Sequence, residues 1–417
     1  MKNNMKVLVA AVFACVALMI SCKKENVPSI DDYPLNYTIE EIPVTSDIPV
    51  GAYLYTTASA FEDQNHWPRI HDPYDPQNGK IGPYVEPELG QYKLEATDNG
   101  IYNMSKIVEW AKQAKIDFLI TPPVKENPNV LYPGNMNGTD SLITNQLGEH
   151  PSLLGSVNMG ELRYAIAVDI GNFSSGLNNN ALLENAAKIT VSGVELTREE
   201  RLYNFMKRIS DYFKDETYYR TNGRPVIVLS NPHQLYTADS KKVYYNIRST
   251  IKEHTGDDVY IIAKQQQWSP SARYTYFFLN GMVDAVTMDN MCNVGGGMWE
   301  RTYMLSQLIN ENFKFNKDYI NQHFGIDFVP SASPSFSQYT NSGATVDYNI
   351  PPIYKDEAAF RERCNVAKMN LGRTPMVLIE SFNDWVKDSQ IEPAREDYGN
   401  GYGTKYLDIV RDEFKVK

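Results

Sequence analysis

Eight short runs of apolar and β-branched residues punctuate the chain, each six to eight residues long, with longer mixed segments between them. They occupy residues 49–55, 116–121, 164–169, 225–230, 259–264, 283–288, 326–331 and 375–382. Runs of that length and composition predict buried strands. The intervening segments carry apolar residues three and four apart, as in Ile107, Val108, Ala111 and Ala114, and again in Leu202, Phe205, Met206, Ile209, Tyr212 and Phe213. That spacing gives each segment one apolar helical face. Further helices start near Ser240, Trp299, Asp356 and Gly403. Thr197 followed three positions later by Glu200 reads as a capping box. Strands alternating with helices predict an α/β chain with a parallel sheet, and eight such units predict a (β/α)8 TIM barrel. The barrel is expected as a single domain over residues 48–417, with long loops over the C-terminal face of the strands. The Asn- and Gly-rich insertion at 127–162 supplies part of those loops.

The first residues follow a different pattern. Lys2 and Lys6 precede an apolar and small run at 7–20, which ends in Ser21-Cys22. The run is shorter than the roughly 20 residues that span a bilayer, and its flanks are those of a lipoprotein signal peptide over residues 1–21. Cys22 is then the lipidated first residue, with an ordinary secretory signal as the other reading. Residues 22–47 are polar, carry Pro28, Pro34 and Pro43, and predict a tether. The expected location is the Gram-negative cell envelope, in the outer membrane, with the lipid on Cys22 as the membrane contact.

A net charge of -11 excludes a nucleic-acid partner, which requires a basic stripe. Cys292 and Cys364 lie far apart without the paired spacing of a zinc or redox site, so a disulfide and two buried thiols both remain open. His66 and His71 lack a third metal ligand at suitable spacing, and Gly295-Gly296-Gly297 is followed by no phosphate-binding lysine. No metal and no cofactor are expected.

In a barrel of this kind chemistry sits at the C-terminal ends of the strands. Those ends present Tyr55, Asp169, Asn172, Asn231, His233, Gln265, Trp268, Asp289, Asn290, Asn383 and Asp384. Amides, carboxylates and aromatic rings suit a sugar, whose hydroxyls need polar partners and whose C–H face stacks on a ring. Trp268 and Trp385 are the expected platforms. Asp289 and Asn290 serve equally well as turn caps, and His233 as a loop hydrogen-bonding residue.

The segment from Ser381 to Glu392 resembles the signature S-F-N-E-W-H-E-G-T-Q-I-E of glycoside hydrolase family 99, the endo-acting α-mannosidases and mannanases, and of related domains in polysaccharide-biosynthesis proteins. Ser381, Phe382, Asn383, Trp385, Gln390, Ile391 and Glu392 match by identity. The resemblance implies a sugar-cleaving barrel that acts through a 1,2-anhydride, with a base at Asp384 and an acid at Lys387. Here the family has glutamates. A lysine ordinarily titrates near about 10.4 and holds its proton too firmly to be an acid at neutral pH. Lys387 and Gln390 are therefore grouped with the substrate-binding residues. Glu380 is separated from Asp384 by four residues, which in extended chain is roughly 13 Å, beyond the roughly 5 to 9.5 Å of glycosidase carboxyl pairs. Asp384 with Asp169 or Asp289 is the expected catalytic set. Two functions follow: a glycoside hydrolase-like lipoprotein with a substituted acid acting on a polysaccharide or glycan, or a non-catalytic glycan-binding lipoprotein that keeps the sugar cleft. A third, a polysaccharide-synthesis enzyme, would need activated sugar donors that are not normally found outside the cytoplasm.

Overall fold

The computed structural model describes residues 35–55, 85–90, 92, 94, 96–126, 142–143, 152–295, 299–337 and 352–417. Cys22, His66 and His71, and most of the 127–162 insertion, lie outside them. The chain divides into two compact units, residues 1–38 and 39–417. In the first, the Tyr37 N–H donates to the Leu35 carbonyl. The second holds the barrel.

Its strands are β1 (Val50–Tyr53), β2 (Phe118–Ile120), β3 (Arg163–Asp169), β4 (Arg224–Ser230), β5 (Tyr260–Gln265), β6 (Ala285–Met288), β7 in two pieces (Asp327–Phe328 and Ser331–Ala332) and β8 (Val377–Ile379). Each pairs in parallel with the next, from β1 with β2 through to β5 with β6. The first piece of β7 pairs with β6, and the second pairs with β8. β8 then pairs with β1, Gly51 opposite Leu378, so the curled sheet returns to its start. The eight expected strands all appear, shorter than their apolar runs at several ends.

Among the described residues six long helices accompany them: α1 (Asp98–Gln113), α2 (Arg198–Ile209), α3 (Ser240–Thr255), α4 (Leu305–Phe324), α5 (Glu357–Met369) and α6 (Lys405–Phe414). The capping box of α2 forms as expected: Thr197 Oγ1 accepts from the Glu200 N–H at 3.1 Å, and Glu200 Oε2 accepts from the Thr197 N–H at 2.7 Å. Asp239 and Asp356 cap α3 and α5 by accepting from the Lys242 and Ala359 N–H groups, amides that the first turn leaves open. Between β5 and β6 the described chain makes a 3-10 turn at Ser271–Tyr274 and no long helix. No described helix is long and apolar enough to cross a membrane.

The inside of the ring is filled by Phe118, Ile120, Ala165, Ala167, Val226, Val228, Ile262, Ala285 and Leu378, among others. A Cβ on Gly51 would fall 2.3 Å from the Phe118 ring. Glycine at that position is what lets a phenylalanine fill the narrow base of the barrel. Cys292 and Cys364 are both buried as free thiols.

The last part of the expected tether belongs to the barrel instead. Ile39 and Ile48 are buried. The Ile42 N–H donates to Asn365 Oδ1, and Lys368 Nζ donates to the Ile42 carbonyl. Isolated aliphatic residues in a proline-bearing stretch show no period, which is why the sequence alone places the boundary later.

Candidate active site

Successive strand residues face opposite sides of a sheet, so the residues that line the barrel fix which later ones reach its mouth. Ile262 lines the barrel, and two residues on stands Lys264. Ala285 lines it, and Asp289 has the same parity. Leu378 is followed by Glu380, and Tyr53 by Tyr55. These side chains converge. Lys264 Nζ lies 2.5 Å from Glu380 Oε1 and 2.9 Å from Asp289 Oδ1. It also sits 4.1 Å above the centre of the Tyr53 ring. The Glu380 contact is an ion pair outside hydrogen-bond geometry. Two carboxylates sharing one ammonium at those lengths have their nearest oxygens within about 5 Å, the short end of glycosidase carboxyl spacing.

The three acids differ in their surroundings. Glu380 is 3% exposed, and burial pushes it up to about 7, with Lys264 opposing and the Asp289 and Asp384 charges adding to the rise. The Asp289 side chain is 49% exposed. Burial raises it, but the Lys264 ammonium and the Asn290 N–H outweigh that and hold it below the usual range. For Lys264, the Asp289 and Glu380 charges overcome a large burial penalty and hold it well above the usual lysine value. Tyr55 feels all of these charges together with Asp384, and burial raises its hydroxyl well above the ordinary value.

Asp384 approaches the same centre from the segment after β8. The chain there is not extended. The Asp384 N–H donates to Ser381 Oγ at 2.7 Å, and Asp384 then caps a 3-10 turn at Trp385–Lys387, with its Oδ1 accepting the Lys387 N–H at 3.2 Å. The separation expected from extended chain therefore does not apply to Glu380 and Asp384. Burial pushes Asp384 up to about 6, against the Lys387 and Val386 backbone N–H groups and the charges of Lys387 and Lys264.

Other residues expected at the site hold the scaffold. Trp385 is 2% exposed, with Nε1 donating to Glu392 Oε2 at 2.5 Å, so its faces are in the core and unavailable to a sugar. Asn383 clamps Tyr55 from both sides, its Oδ1 accepting the Tyr55 N–H at 2.7 Å and its Nδ2 donating to the Tyr55 carbonyl at 3.0 Å. Gln265 is buried and braces the following loop through the Ser269 carbonyl and the Ser271 hydroxyl. Gln390 is buried, its Nε2 3.4 Å from Asp388 Oδ1. Asn290 accepts from the Cys292 N–H, the turn-capping role.

Asp169 accepts from the Gly171 N–H at 2.8 Å and from Asn231 Nδ2 at 3.0 Å, with Lys125 at 3.7 Å. Asn172 donates to the Glu126 carbonyl. Asp169, Asn172 and Asn231 thus tie down the loops after β3 and β4. His233 is half-buried beside Tyr274, and burial together with Arg273 lowers its proton affinity. Trp268 is half-buried in the left-handed region, φ 60°, its Nε1 donating to the Asn293 carbonyl. Lys387 stands over the Phe336 ring at 5.8 Å. Among the described residues, no three His, Cys, Asp or Glu side chains are grouped to hold a metal ion.

The structure adds five residues to the expected set: Glu380, Lys264, Tyr53, Tyr92 and Glu392. Glu392 Oε2 accepts from the Tyr92 hydroxyl at 2.8 Å, and that hydroxyl accepts from Asn383 Nδ2 at 3.1 Å. The chain Trp385, Glu392, Tyr92, Asn383 fixes the backbone that aims Tyr55. Burial raises Glu392 to about 8.

The barrel superposes on those of several solved proteins. A solved glycoside hydrolase-like protein superposes with a TM-score of 0.71 at 24% identity, over 93% of this chain and 99% of that one. Two structures of the GH99 endo-α-mannosidase from Bacteroides thetaiotaomicron follow at 14% identity. One superposes with a TM-score of 0.55 over 89% of this chain and 97% of that one. The other, with Bis-Tris propane, has a TM-score of 0.52 over 88% and 97%. At these identities the likeness is one of fold. No curated protein matches the sequence. The family model described as Glycosyltransferase WbsX matches residues 188–410, which run from the hairpin before α2 to the final helix. By that match over more than half its length, the chain belongs to the Glycosyltransferase WbsX family.

Proposed function

We propose that this barrel processes glycosidic bonds in a polysaccharide or glycan, with Glu380 giving and retaking the proton at the leaving oxygen. Asp384 acts as base on the attacking hydroxyl or water. The observation that carries the reading is the gathering at one barrel mouth of Glu380, 2.5 Å from the Lys264 ammonium, and Asp384, which caps the turn after β8; burial raises them to about 7 and about 6. General acid–base catalysis at neutral pH needs groups poised there. Glu380 takes the acid role that the resemblance would give to Lys387. Asp289, ionised and half exposed, steadies Lys264. Tyr55 supplies an aromatic wall.

Support for a sugar substrate comes from the family description and from the names of the structural neighbours, all of which concern sugars. Water as acceptor gives hydrolysis, and a sugar hydroxyl gives transfer; the same two carboxyl groups serve either. Hydrolysis is the proposal. The apolar run at 7–20 and Cys22 support a lipid-anchored place in the cell envelope, the outer membrane in particular.

A second reading, a barrel that holds glycans without cutting them, is favoured by one observation: Asp384 Oδ1 already accepts the Lys387 N–H. Purified protein incubated with α-mannans and with uronic-acid-containing glycans separates the two. Release of reducing ends that vanishes in Glu380→Gln and Asp384→Asn supports hydrolysis. Tight binding by the unaltered protein with no release from any glycan supports the holding role.

A further inference from the structure

Beside the mouth, and apart from the Lys264 cluster, a cavity of about 550 Å³ opens between the first turns of α5 and α6. Its walls include Tyr354, Lys355, Asp388, Tyr402, Lys405 and Tyr406. The volume falls within the roughly 300 to 1,000 Å³ of small-molecule sites.

Charge decides what it can hold. The Lys355 ammonium donates to Ser335 Oγ at 2.8 Å, to the Asp388 carbonyl at 2.6 Å and to Asp388 Oδ1 at 3.1 Å. An ammonium has three donors, so none is left for an anionic ligand. On the rim, Lys405 is paired with Glu357 at 3.1 Å. A phosphate or carboxylate would therefore meet cations already matched by carboxylates of this chain. A neutral ligand rich in hydroxyls would meet accepting carboxylate oxygens without displacing any ion pair.

Shape and aromatic content agree with that. Tyr402 and Tyr406 lie under Lys355, their ring centres 5.8 and 5.9 Å from its nitrogen, and close the inner wall. Tyr354 at the lip is 66% exposed. An exposed ring beside ordered carboxylates is the arrangement on which a sugar stacks its C–H face while its hydroxyls are held.

One short turn separates the cavity lining from the acid–base centre. Asp384 begins the 3-10 turn Trp385–Lys387, and Asp388 ends it. At about 2 Å per residue that turn spans roughly 8 Å, and Lys355 is near enough to feel the Asp384 charge. A ligand reaching from one to the other is longer than a single sugar ring.

We infer that this cavity is a sugar-binding subsite for an uncharged residue of the substrate chain, at least one sugar removed from the bond that is processed. The inference rests on the glycan reading given under Proposed function.

The test measures affinity for α-mannan oligosaccharides graded from the disaccharide upward, using calorimetry with Glu380→Gln protein so that nothing is turned over. Tyr354→Ala and Tyr354→Phe are made in that background. Tyr354 is exposed, so both variants keep the fold, which the melting temperature verifies. The expected result is affinity that rises with chain length, falls about tenfold for long chains in Tyr354→Ala, is kept in Tyr354→Phe, and is unchanged for the disaccharide. If long chains bind equally well with and without the ring, the subsite is overturned while the glycan reading stands. If no glycan of any length binds, the glycan reading falls and the subsite falls with it.

Discussion

Lys264 Nζ and Glu380 Oε1 are 2.5 Å apart, although 116 positions separate them in the chain, and the ammonium belongs equally to Asp289. Burial raises Glu380, and Lys264 pulls it back. The activity of the barrel is accordingly expected to depend on pH within a narrow window. Asp384 has to lose its proton, at about 6, and Glu380 has to keep its own, up to about 7. A plot of kcat/KM against pH should be a narrow bell between those apparent values, which belong to the coupled pair. A flat profile from pH about 5 to 9 would remove both from the chemistry.

Lys264→Met takes away a cation that favours the ionised form of both acids. Both proton affinities rise, and the bell moves to higher pH. Thermal unfolding verifies that the variant is folded. A profile that stays in place would show that Lys264 does not set the titration.

Glu380→Gln keeps the shape of the side chain and removes its titratable proton. Turnover is expected to fall by about a hundred- to ten-thousand-fold, with glycan affinity retained. Equal loss of binding and turnover would instead assign Glu380 to holding the ligand.

Glu392 governs stability. It is fully buried and raised to about 8, whereas in the unfolded chain it titrates near about 4.3. Between those values the folded chain holds a proton that the unfolded chain gives up. Its contribution to stability is complete below about 4.3 and is lost as pH rises through about 8. Glu392→Gln should remove a loss of a few kcal/mol across that window. The check is the melting temperature at pH about 5 and about 9; a variant whose loss of stability with pH equals that of the unaltered protein would contradict the assignment.

Gly51→Ala places a methyl group 2.3 Å from the Phe118 ring. Overpacking of this kind costs about 1 to 3 kcal/mol. Urea unfolding should show a lower midpoint with an unchanged slope, and an unchanged midpoint would mean that the barrel base yields more readily than its packing suggests.

The strands were legible because each is an apolar run buried on both faces, and Thr197 with Glu200 marked the start of α2. The mouth was legible in part. Asp289 and Asp384 could be named from strand-end chemistry, whereas Lys264 and the role of Glu380 depend on pairing between strands that are distant in sequence. The parity of Ile262 to Lys264 and of Leu378 to Glu380 was the available signal. Reading Glu380 against Asp384 along extended chain obscured it, since the chain turns at Ser381. Trp385 misled for a related reason. A tryptophan beside a strand end looks like a platform, and only the buried Glu392 carboxylate shows that its ring faces inward.

Asn383 holds both backbone groups of Tyr55 across the place where β8 meets β1. During synthesis β1 emerges early and β8 near the end, so for most of that time Tyr55 has no clamp and Lys264 lacks Glu380. The acid cluster is complete only when the last strand docks, and an incomplete chain carries Lys264 and Asp289 without Glu380 and Asp384.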